Sequence, residues 1–128
     1  MKQTIQQQRA AHALKAVEAA KASLGNSSEY KSYASNFPAM IQMNGLGQAA
    51  AFFRSKGSGT DSKAHAYQAL YNTLSEWLSK PNQPYQGRDL LDGITQSNMQ
   101  TYMLAQAEAL ALLDWVKKFA KAYMEDNS

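Results

Sequence analysis

Residues 61–78 read DSKAHAYQALYNTLSEWL. Within this stretch Tyr67, Leu70, Tyr71, Leu74, Trp77 and Leu78 recur at steps of three and one, the spacing that lines up one face of an α-helix. This is the cleanest apolar face in the chain, and Asp61 is well placed to cap the helix that carries it. The stretch before it, from Lys56 to Thr60, reads Lys-Gly-Ser-Gly-Thr and predicts a flexible surface loop at about 56–60.

Upstream of the loop, Leu46, Ala49, Ala50 and Phe53 form the stripe of another helix, punctuated at its start by Asn44-Gly45. Before that, Tyr30, Tyr33, Ala34, Phe37, Met40 and Ile41 share a face. Pro38 interrupts it, and because proline lacks an amide donor and disfavours helix at the preceding residue, a kink or break is expected there, with Pro38 starting a new piece. Residues 3–24 read as a long first helix on Ala10, Ala13, Leu14, Val17, Ala20 and Leu24, stopped by Gly25. Asn26, with Glu29 three residues on, is the expected cap of the second helix.

Downstream, Pro81, Pro84 and Gly87 make a second loop at about 80–87, followed by a short helix over Arg88 to Ile94. Ser97 and Gln100 form a capping-box pattern ahead of the last helix, which runs to about Met124 on Tyr102, Ala109, Leu112, Leu113, Val116, Phe119, Ala120 and Tyr123.

Composition agrees. Valine occurs only at 17 and 116 and isoleucine only at 5, 41 and 94, too few β-branched residues for a sheet core. The expected fold is all-α: a compact bundle of five or six helices around one core, with residues 1–128 as a single helical domain. No cysteine is present, so disulfides, thiolate metal sites and cysteine nucleophiles are excluded. The first residues lack a signal-peptide pattern, and no stretch nears the roughly 20 apolar residues of a membrane span, so a cytoplasmic protein with no membrane partner is expected.

The net charge is +3, with residues 1–63 at +5 and residues 64–128 at −2. A basic half favours polyanions but does not identify one. Gly45-Leu46-Gly47-Gln48-Ala49-Ala50 matches the spacing of a dinucleotide-binding turn, yet that turn works only between a parallel strand and a helix, and Asp61 comes too early for the ribose carboxylate. A helix break at Gly45 and a tight helix crossing at Gly47 is the better reading. His12 and His65, the only histidines, have no second histidine three or four residues away, and the one carboxylate at that spacing, Asp61 before His65, is the expected helix cap, which argues against a metal pair. His12 lies off the stripe of its helix, in keeping with a structural or partner-facing role. No strained serine elbow or paired carboxylates stand out, so no catalytic residue, metal or cofactor is assigned. Most of the aromatics lie on core stripes; Trp115, at the edge of its stripe, is the one left open as a stacking platform.

The order of several short blocks is more specific than any one of them. Arg9-Ala10-Ala11-His12-Ala13-Leu14, Phe37-Pro38-Ala39-Met40-Ile41, Asn44-Gly45-Leu46-Gly47-Gln48-Ala49, Leu74-Ser75-Glu76-Trp77-Leu78, Glu108-Ala109-Leu110 and Lys117-Lys118-Phe119-Ala120 follow one another as they do in the small subunit of the CRISPR Cmr complexes (type III-B), which the chain resembles over nearly its whole length. The resemblance implies an all-helical, non-catalytic subunit of an RNA-guided antiviral effector. Such a subunit stacks with further copies of itself in an inner filament, packs on other effector subunits and borders the guide RNA and target RNA. Methionine stands at 103, near where that family commonly has a basic residue, so no contact is carried over from that helix. Phosphate contacts are expected from Arg9, Lys15, Arg54, Lys56, Lys63, Lys117 and Lys121. A helix-turn-helix regulator with Asn44-Gly45 as its turn is the alternative, but residues 46–53 are too apolar for a recognition helix.

Overall fold

The computed structural model describes residues 2–124. It contains five helices: α1 (Ile5–Leu24), α2 (Ser28–Lys56), α3 (Ser62–Leu78), α4 (Leu90–Gln96) and α5 (Met99–Tyr123). No strand occurs among the described residues. The long helices α2, α3 and α5 pack on one another, α1 lies across α5 and α3, and the short α4 closes one end against α2.

Each start has a local cause. Thr4 and Gln7 make a reciprocal capping box for α1. Asp61 caps α3 through the Ala64 amide at 2.8 Å, as its position in the sequence implies. The cap of α2 is Ser27, whose hydroxyl accepts from the Tyr30 amide, and not Asn26. The cap of α5 is Asn98, which accepts from the Thr101 amide, and not Ser97. Ser97 instead ends α4 and exchanges a hydrogen bond with the Tyr85 hydroxyl.

Pro38 neither kinks the chain out of helical geometry nor starts a helix. The one departure from helical backbone inside α2 is Gly45, at φ 88° and ψ 160°. Tyr30, Ala34, Phe37 and Ile41 are all buried on both sides of the proline, and their packing holds the helix through the missing donor. At Gly45 the backbone adopts a conformation open in practice only to glycine. The break leaves the amides of Leu46 and Gly47 without partners inside α2, and α5 supplies them: Gln106 Oε1 accepts from Leu46 at 2.9 Å and the Tyr102 hydroxyl from Gly47 at 2.8 Å. A methyl group at Gly47 would meet the Tyr102 hydroxyl at 3.4 Å and Ile94 at 3.5 Å, so the crossing is close but a single carbon still fits.

The core joins Val17, Phe37, Ile41, Leu46, Phe53, Leu70, Leu74, Leu112, Leu113 and Val116. Phe37 and Phe53, from the two halves of α2, stack at 3.9 Å between centroids. From α1 only Ala13, Val17 and Ala20 are buried, and such small side chains let it lie close on its neighbours. One core group is unsatisfied: the Tyr30 hydroxyl is buried and has no hydrogen-bond partner, and burial raises its pKa. A buried hydroxyl without a partner costs about 1–3 kcal/mol. Tyr30→Phe is therefore expected to leave the melting temperature unchanged or to raise it; a clear drop in thermal unfolding would show that the hydroxyl is bonded.

Candidate nucleic-acid interface

Seven basic residues were expected at phosphates, and the first of them is engaged inside the bundle. Arg9 on α1 meets Glu108 on α5 side-on, Nε to Oε2 at 2.6 Å and Nη2 to Oε1 at 2.9 Å. The same Oε2 accepts from the Trp77 indole nitrogen on α3 at 2.9 Å. Both charged side chains are mostly buried, at 18% and 14% exposure. Burial alone would push the Glu108 carboxyl up, but the Arg9 guanidinium and the Trp77 N–H together hold it below the usual carboxylate range. Arg9 thus ties α1, α3 and α5 together and is not offered to a phosphate.

His12, one turn further along α1, joins the same junction. Its Nε2 lies 3.0 Å from the Thr73 carbonyl oxygen, and its ring leans on Trp77 at 5.3 Å. Its partner is therefore α3 of its own chain. Burial lowers the imidazole pKa and outweighs the opposing hydrogen bond to the Thr73 carbonyl. Lys80 and Lys15 lower it further, and Glu76 works against them. Because the folded value lies below the unfolded one, the unfolded chain takes up the proton first as pH falls. The stability this group contributes is full above its unfolded pKa of about 6.5 and is lost on acidification toward the lower folded value. Glu108 has the same sign and acts below about 4.5. The urea midpoint is expected to fall between pH 7.5 and pH 5.5, and His12→Gln to flatten that fall; an unchanged slope in the variant would refute the assignment.

The other six fall in three separate places. Lys15 lies on α1 beside an open cavity of about 480 Å³ that it lines with His12, Glu18, Trp77 and Lys80. Lys117 lines a cleft between α2 and α5 with Pro38, Gln42, Leu110 and Asp114, and Lys121 is exposed one turn on. Asp114 and Glu125 are the carboxylates that the sequence puts within helical reach of these two; Asp114 pairs with Lys118 at 2.9 Å, and Glu125 lies outside the described residues. Arg54, Lys56 and Lys63 gather at the corner where α2 ends and α3 begins. Arg54 faces a small cleft with Gln68, Tyr71, Asn72 and Asp89, while Lys56 and Lys63 both bear on the Tyr67 hydroxyl. The bundle thus brings Lys56 and Lys63 together and keeps the other groups apart.

Trp115 is half-buried against Phe119, with 5.6 Å between centroids. The aromatic that the sequence reading passed over is Phe52, 38% exposed beside its buried neighbour Phe53. The signal lay in the pair itself. Adjacent helical residues point about 100° apart, so Phe52 and Phe53 do not share the core. Leu46, Ala49, Ala50 and Phe53 are fully buried, and the exposed residues of 46–53 are Gln48, Ala51 and Phe52, too apolar for the reading face of a helix-turn-helix. Among the described residues no three His, Asp or Glu side chains are placed to hold a metal ion, and no helix is long and apolar enough to cross a membrane.

The helical bundle falls in the class of CRISPR-associated proteins: the family model described as CRISPR-associated protein (Cas_Cmr5) matches residues 5–123. A relative from Thermus thermophilus, named CRISPR system Cmr subunit Cmr5, is 31% identical over 98 residues, 77% of either chain. The crystal structure of a CRISPR-associated Cmr5 family protein, also from Thermus thermophilus, superposes with a TM-score of 0.77 at 29% identity, covering 96% of this chain and 100% of that one. The chain belongs to the Cmr5 family, the small-subunit family that its sequence resembles.

Proposed function

We propose that this chain is the small, non-catalytic subunit of an RNA-guided type III-B Cmr effector, working in the cytoplasm in antiviral defence. One observation carries the reading: the family match spans residues 5–123, and the helices on which it rests include every core element. In this role residues 1–128 act as one domain that stacks with further copies of itself in an inner filament and packs on the other effector subunits. It borders the guide and target RNA through phosphate contacts that do not read sequence. Lys15, Arg54, Lys56, Lys63, Lys117 and Lys121 are the candidates for those contacts. Arg9 leaves the group because Glu108 holds it.

The test is recovery of the tagged chain from its native host. Larger subunits and a guide RNA in the same fraction support the assignment; a solitary chain overturns it. RNA affinity, in the complex or in the free chain, is expected to fall with log salt at about −0.7 per phosphate met. Tight, salt-insensitive or sequence-specific binding by the free chain would contradict the mechanism.

A further inference from the structure

At the α2–α3 corner three rings form a step. Phe52 stands edge-on to Tyr67, with centroids 6.0 Å apart and planes at 81°. Tyr67 lies flat on Tyr33 at 3.9 Å and 12°. Phe52 is the most exposed of the three, and the Lys56 ammonium sits over its ring, 5.6 Å from the centroid. Lys63 lies one turn before Tyr67 on α3 and is exposed. Neither lysine is held in an ion pair with a described carboxylate. Asp61, the carboxylate nearest Lys63 in the chain, is occupied by the Ala64 amide.

A part-exposed ring with one ammonium over it and a second at the adjoining Tyr67, neither held by a described carboxylate, fits one kind of ligand: a flat, apolar base strung between phosphates. The lysine over Phe52 is no obstacle. A cation–π contact at an exposed site is weaker than a base stacked on an aromatic ring, so an incoming base takes the ring face and the ammonium turns to the adjoining phosphate. Duplex fits less well, because its bases are already stacked on one another.

We propose that this corner is a single-stranded RNA contact, in which Phe52 stacks one base and Lys56 and Lys63 take the flanking phosphates. The inference rests on the RNA-bordering role proposed above and deepens it, adding a stacking contact that tolerates any base.

The experiment is fluorescence anisotropy of a labelled, uridine-rich single-stranded oligoribonucleotide with the full chain, over a range of salt concentrations. Phe52→Leu is expected to weaken binding about five- to a hundred-fold with the salt slope unchanged. Phe52→Tyr, which keeps the ring, is expected to retain affinity. Lys56→Gln and Lys63→Gln are each expected to reduce the slope by about 0.7. Thermal melts of every variant verify that the bundle is intact. Full affinity in Phe52→Leu, or loss of affinity only on changing Lys117 and Lys121, overturns this contact and leaves the phosphate-contact reading standing. No binding by the unaltered chain overturns both.

Discussion

Phe37→Ala is expected to destabilise the protein by about 3–5 kcal/mol, the usual cost of emptying a buried aromatic site. Phe37 is fully buried, and its ring stacks on Phe53 from the far side of the Gly45 break. Its loss removes apolar burial and also uncouples the two halves of α2. Packing is what carries the helix through Pro38, so the cost falls on the element least able to hold itself. Against a total stability of roughly 5–15 kcal/mol for a domain of this kind, the variant should unfold at a much lower urea concentration or fail to accumulate. Chemical denaturation monitored by circular dichroism checks it. A shift of less than about 1 kcal/mol would mean that the site collapses to fill the void.

Glu108→Ala is expected to cost about 2–3 kcal/mol. Removing one partner of a fully buried pair typically costs about 3–5 kcal/mol, because the other charge is left uncompensated. Here both side chains keep some contact with water, which lowers the figure. The Trp77 N–H loses its acceptor as well. The double variant Arg9→Met with Glu108→Leu should recover much of the loss, since apolar groups of similar size replace buried pairs at little cost. If the double variant is as unstable as Glu108→Ala alone, the ion pair is not the source of the effect.

Helix faces were legible because they depend only on spacing. The α3 stripe, the stop at Gly25 and the Asp61 cap follow from neighbours in sequence, and the structure has all three. What escaped depended on partners far along the chain. Arg9 and Glu108 are 99 positions apart, and His12 and Thr73 are 61 apart. Arg9 therefore looked like a surface cation, and His12 like a residue off its helix's stripe. The Pro38 reading failed for a related reason: local backbone cost was weighed without the burial on either side that outweighs it. The caps at Ser27 and Asn98 are one residue from those expected, within reach of several small polar side chains in a row. The candidate lysines were visible as residues, but their division into three places follows only from how the helices cross. Family resemblance rested on core and turn residues, so it identified the bundle without saying which cations face a ligand.

The pairing of Leu46 and Gly47 with side chains on α5 has a consequence for biosynthesis. These acceptors come 60 and 55 residues later in the chain. While the chain is still growing, the amides of Leu46 and Gly47 are met only by water until Tyr102 and Gln106 have left the ribosomal tunnel. Lys21 and Lys31 wait longer still, since the carbonyls they bind belong to Tyr123 and Met124. The amino-terminal half therefore completes its contacts only once α5 has emerged, and a product cut short before α5 would lack these acceptors.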